Sequence, residues 1–103
     1  METRKKIYEE VVIARRNRKV AFLPTGADPK FPHFRRLPFE VVTSEPKKFS
    51  WKIKYAVTNR DFTVFIREGK GAQSKKYQWL TEDEIKDILL PAIDRKILKK
   101  VLG

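Results

Sequence analysis

At 103 residues, with 24 Lys plus Arg against 13 Asp plus Glu, one histidine and no cysteine, the chain carries a formal net charge of +11. The length supports one hydrophobic core, the missing cysteines exclude a disulfide framework or thiolate metal site, and no stretch approaches the ~18 apolar residues of a membrane span. So large a cationic excess selects polyanionic partners, nucleic acid foremost.

The excess is unevenly placed. Residues 1–38 carry a balance of +6, residues 39–80 of +5, and residues 81–103 of zero. The last segment is also rich in Ile and Leu, so it reads as packing surface. The N-terminus has no apolar stretch of the signal-peptide kind, and an intracellular setting, or a virion, is expected without membrane contact.

Residues 3–16 admit two readings. Ile7, Val11 and Ala14, with Tyr8 and Val12 beside them, match a helical stripe. Val11-Val12-Ile13, then Arg16-Asn17-Arg18, then Lys19–Leu23 equally describe a hairpin. The helix is taken first and the hairpin kept open; both expose Arg15, Arg16, Arg18 and Lys19. Pro24, Pro29, Pro32 and Pro38 exclude regular structure from residues 24–38. From there the pattern predicts strands over Phe39–Thr43, Phe49–Thr58, Phe62–Glu68 and Lys75–Leu80, with short connections that imply antiparallel neighbours. In the second of these, Phe49, Trp51, Ile53, Tyr55 and Val57 alternate with Ser50, Lys52, Lys54, Ala56 and Thr58, giving a core face and an outer face. Val64 and Ile66 join the core face, while Thr63, Phe65 and Arg67 look outward.

Thr81-Glu82-Asp83-Glu84 spells a capping box, and Ile85, Ile88 and Leu89 follow as a helical stripe. Pro91 kinks or restarts the helix, and Ile93, Ile97, Val101 and Leu102 continue the apolar face. The expected fold is α+β: a four-stranded antiparallel meander followed by a kinked C-terminal helix, with an N-terminal helix or hairpin. The chain reads as one domain, with residues 1–38 an N-terminal extension and residues 39–103 a sheet-plus-helix core.

Several short pieces share an order with a known family: Lys54-Tyr55-Ala56-Val57, Arg60-Asp61-Phe62, Val64-Phe65-Ile66-Arg67-Glu68, Lys75-Lys76-Tyr77, Leu80-Thr81, and a helix with Ile85, Ile88, Ile93 and Asp94. Residues 54–94 resemble the single-stranded-DNA-binding transcription coactivators of the positive cofactor four family. The resemblance implies a dimer joined through its helices, with single strands crossing a curved basic sheet, and nucleic-acid contacts at Arg60, Phe62, Arg67, Lys75 and Lys76. The loop after Arg67-Glu68 is shorter here and lacks an aromatic residue that family members often carry, and residues 1–48 have no counterpart.

The residues alone lead to a similar site. An outer face with Lys52, Lys54, Phe65 and Arg67, and with Lys75 and Lys76 beside it, suits single strands, because phosphates need cations and unstacked bases need π faces. Phe62 stays open: alternation places it with the core, and the resemblance places it with the ligand. Arg15, Arg16, Arg18, Lys19, Arg35 and Arg36 are further candidates for phosphate contact. Ile88, Leu89, Ile93, Ile97 and Val101 are the expected homodimer contact, and Trp51 and Trp79 are assigned to core or interface. His33 stands alone without metal-ligand or triad spacing, and no enzyme, cofactor or metal is expected. The expectation is a non-catalytic binder of single-stranded DNA or RNA with little sequence preference, in transcription or DNA maintenance. Its alternatives are a duplex-binding sheet module and a structural subunit of a ribosome-associated or virion assembly.

Overall fold

The described residues of the computed structural model are 5–69 and 77–102. They form an α+β fold: β1 (Lys5–Ile13), β2 (Arg15–Arg16), β3 (Lys19–Phe22), β4 (Phe39–Val42), β5 (Trp51–Val57), β6 (Arg60–Glu68), β7 (Gln78–Thr81), α1 (Glu82–Lys86) and α2 (Ala92–Leu102). A four-stranded sheet has the order β4-β1-β6-β5, and a three-stranded sheet the order β2-β3-β7.

Of the two readings of the N-terminal segment, the structure takes the hairpin and corrects the helix. β1 is a central strand, antiparallel to β4 on one side and parallel to β6 on the other. The β-branched run Val11-Val12-Ile13 favours extended backbone, and the ladder on both edges satisfies the groups a helix would have satisfied internally. At the buried Ala14 the chain passes into the smaller sheet, and the Ala14 carbonyl accepts the Ala21 N–H at 3.1 Å. Asn17 and Arg18 then turn it at φ 50° and 64°, the left-handed pair of a two-residue type I′ hairpin closed by Arg16 opposite Lys19.

β5 and β6 form the antiparallel hairpin that the alternation predicts, running from Trp51 opposite Ile66 to Val57 opposite Arg60. The meander does not continue beyond them. β4 pairs with β1 rather than β5, and β7 pairs with β3 rather than β6. Once residues 5–13 are a strand, both of its edges need partners, and this draws β4 away from its neighbour in sequence. The larger sheet is therefore mixed.

Val11, Ile13, Val64 and Ile66 on the inner face of the larger sheet form one core with Phe22 of β3 and with Ile93, Ile97 and Leu98 of α2. The capping box is present as read: the Glu84 N–H donates to Thr81 Oγ1 at 3.3 Å, and the Thr81 N–H donates to Glu84 Oε1 at 3.1 Å. The kink at Pro91 is a full break, and the Pro91 carbonyl accepts the Arg95 N–H at 3.1 Å to start α2. The expected dimer stripe is corrected. Ile93 and Ile97 are 5% and 0% exposed within the chain's own core, and Ile88 and Val101 pack against it. Only Leu89, 60% exposed, is left open among the five. No helix among the described residues is long and apolar enough to cross a membrane.

Candidate nucleic-acid interface

Strand alternation fixes which side chains share the outer face of the larger sheet. β1 contributes Lys6, Tyr8, Glu10 and Val12; β6 contributes Asp61, Thr63, Phe65 and Arg67; β5 contributes Lys52, Lys54 and Ala56. Both helices place their buried apolar residues in the inner core, to which Phe65 does not belong. The cover over Phe65 is aromatic: Tyr8 lies 5.9 Å away and Phe49 5.0 Å away, ring centre to ring centre. Beside this cluster a cleft of about 480 Å³ is lined by Lys6, Tyr8, Lys54, Ala56, Asp61 and Thr63 among others. Lys6 and Lys54 along it can meet phosphates, and the partly buried ring of Tyr8 offers a face to a base.

The predicted site residues divide on inspection. Lys52 and Lys54 are exposed on the outer face, as read. Arg67 shares that face and is tied to Glu10 at 3.2 Å. Phe65 points outward but is 1% exposed, because Tyr8 and Phe49 close over it, so it is no stacking platform. Phe49 itself, expected on the core side, precedes β5 and sits on the outer side. Phe62 is an inner residue, 2% exposed and stacked on Tyr55 at 4.6 Å with an interplanar angle of 6°. Arg60 is exposed, but it is two residues from Phe62 on the same strand, shares its side, and so lies opposite to Lys52 and Lys54. Lys75 and Lys76 lie outside the described residues. Lys6 and Tyr8 were missed; their signal was the period-two alternation of residues 5–13, which the helical reading discarded.

The arginines of the N-terminal region also diverge. Arg15 bonds Glu68 at 3.2 Å and the Val101 carbonyl at 3.1 Å, fastening the hairpin to α2. Arg16 sets its guanidinium 5.6 Å from the Trp79 ring centre, and Arg18 and Lys19 are exposed. Arg35 bonds the Gln78 side chain and, through its backbone N–H, the Leu89 carbonyl. Arg36 is the clearest correction: expected as a surface phosphate contact, it is 0% exposed.

Arg36 is held by carboxylates from three parts of the chain. Its Nε and Nη2 donate to Asp94 of α2 at 3.2 and 3.1 Å, and its Nη1 donates to Asp28 at 2.9 Å, with Glu9 of β1 at 3.7 Å. The Phe39 ring centre lies 4.5 Å from the guanidinium. Lys30 joins the cluster, its Nζ 3.0 Å from Glu9 and 3.1 Å from Asp28, and the Tyr55 hydroxyl donates to Glu9 at 2.7 Å. Burial opposes charge on Arg36, but the Asp94, Asp28 and Glu9 carboxylates outweigh it and hold the guanidinium more firmly protonated than in water. For Asp28, burial raises the carboxyl pKa, yet bonds from Arg36 and Lys30 bring the balance below the usual 3.8. For Asp94, burial prevails over Arg36 and the Leu37 N–H, and its carboxyl is raised. Tyr55 is raised by burial and then by its bond to Glu9. The cluster anchors the irregular segment 24–38 under the sheet. Its carboxylates face bound cations rather than solvent, and no group of three or more His, Asp or Glu among the described residues is disposed to hold a metal ion.

No protein-family model matches this chain, and no curated protein is similar to it in sequence. Its fold is similar to one in a solved structure, the crystal structure of the complex between the C-terminal domain of mouse MUTYH and human PCNA. The TM-score is 0.60 over 92% of this chain and 86% of that one, at 8% sequence identity, a likeness of fold.

Proposed function

We propose that this chain is a non-catalytic nucleic-acid-binding protein that takes single-stranded DNA or RNA across the outer face of its four-stranded sheet, with little sequence preference. The observation that carries the reading is that face itself. Lys6 and Lys54 are exposed along the cleft beside the partly buried ring of Tyr8, and the exposed Lys52 shares their face, with Phe49 packed on Phe65. The lysines supply counterion-release affinity and the rings supply sequence-tolerant stacking. A protein partner is the second reading. It is favoured by the outer edge of β4, the end strand of its sheet, where Val41 is 63% exposed, and by the similar fold having been seen in complex with a partner protein.

Fluorescence anisotropy with labelled single- and double-stranded oligonucleotides tests the proposal. Three phosphate contacts imply a salt slope of about −2 for single strands, or roughly an 18-fold loss of affinity between about 50 and 200 mM salt. Replacing Lys6, Lys52 and Lys54 by Ala is expected to flatten that slope. Absence of binding at about 50 mM salt refutes the proposal, and a preference for duplex replaces its single-strand part.

A further inference from the structure

The smaller sheet carries a second basic surface. In the β3–β7 register Ala21 opposes Trp79 and Lys19 opposes Thr81, so Lys19 and Trp79 share one face. Arg16, opposite Lys19, reaches the same face and lies over the indole. Arg18 stands exposed in the turn between them, whereas Arg35 bonds the side chain of Gln78, which alternates to the other face. The nearby Glu84 carboxylate is engaged by the Thr81 N–H and hydroxyl. Arg15 alternates to the other face, where Glu68 holds it. The result is a partly buried indole among Arg16, Arg18 and Lys19, with the Glu84 carboxylate engaged by Thr81.

We infer that this surface is a second nucleic-acid site, in which an unpaired base stacks on the Arg16–Trp79 pair while Arg18 and Lys19 meet the flanking phosphates. The inference rests on the nucleic-acid reading above and adds a site on a different sheet. Both the indole and the guanidinium offer flat faces that bases stack on, and the remaining cations match the charge of the backbone. An acidic peptide would use the cations and leave the rings unmatched, so the aromatic component decides between the two polyanions.

Trp51→Phe leaves Trp79 as the sole tryptophan and makes its fluorescence the reporter. Titration with a dT oligonucleotide is expected to quench Trp79, and a poly-Glu peptide at equal charge is not. Arg16→Ala with Lys19→Ala is expected to weaken the quenching titration at least about fivefold. Lys6, Lys52 and Lys54 changed together to Ala leave the quenching of Trp79 in place. The unsubstituted chain labelled with 5-fluorotryptophan gives the same answer by 19F NMR should Trp51→Phe not fold, through movement of the Trp79 resonance. Oligonucleotide binding seen by anisotropy with no change at Trp79 overturns this inference and leaves the first site standing. Equal quenching by poly-Glu also overturns it. Absence of all oligonucleotide binding removes the function on which both sites depend.

Discussion

Removing the Asp94 carboxylate should cost this protein a large part of its stability. Asp94 is 0% exposed and accepts two hydrogen bonds from Arg36, at 3.2 and 3.1 Å, and one from the Leu37 N–H at 3.1 Å. Asp94→Ala strips all three and leaves a buried guanidinium facing Asp28 and Glu9 alone. Breaking a buried pair from one side typically destabilises by about 3–5 kcal/mol, against a total of roughly 5–15 kcal/mol for a domain. For a chain of this length the melting temperature should fall by about 12 °C or more. Arg36→Met should be at least as damaging, since it leaves Glu9, Asp28 and Asp94 together with only Lys30 between them. The double variant Arg36→Met with Asp94→Ala should lose less than the sum of the single losses, because each single variant leaves the other member of the pair buried without its partner and the double variant does not. Urea unfolding of the four proteins closes the cycle. A loss below about 1 kcal/mol for Asp94→Ala, or strict additivity in the double variant, would refute the view that Asp94 and Arg36 act as a coupled pair.

Three further outcomes are expected. Asp28 is held below 3.8 in the folded chain, so the unfolded chain binds more protons in acid; the stability it contributes is present above that value and is lost as pH falls beneath it. Asp94, raised by burial, runs the opposite way, so Asp28→Asn should make the drop in urea midpoint between about pH 5 and pH 3 shallower, and an unchanged drop would count against this assignment. Thr81→Ala removes the hydroxyl of the capping box and should lower stability by about 1 kcal/mol in thermal unfolding, whereas Thr81→Ser should retain most of it. Because Ile93 and Ile97 lie in the chain's own core, light scattering should return a mass near 12.2 kDa, a monomer, and a mass twice that would place a dimer contact elsewhere on the surface.

Where a feature rests on residues close in the chain, it was legible in advance. The capping box of Thr81 and Glu84 is a local exchange of hydrogen bonds; the prolines of residues 24–38 forbid regular structure by their own geometry; and the alternation of residues 51–57 states a strand outright. The exposure of Lys52 and Lys54 follows from that same alternation.

The remainder depended on partners distant in sequence. Residues 5–13 satisfy a helical and an extended period alike, and the ladders to β4 and β6 decided between them. Phe65 faces outward as its parity requires, yet it is covered because Tyr8 and Phe49 meet above it from other strands and loops. Arg36 reads as one more surface cation beside Arg35. It becomes a buried anchor only where the fold brings Glu9, Asp28 and Asp94, from the two ends of the chain and the loop between, around one guanidinium. By itself the sequence determined the basic character of the first 80 residues and the periodicity of its best strand. Only the tertiary structure decided which of those charges face solvent and which neutralise one another in the interior, because burial depends on contacts that no local pattern encodes.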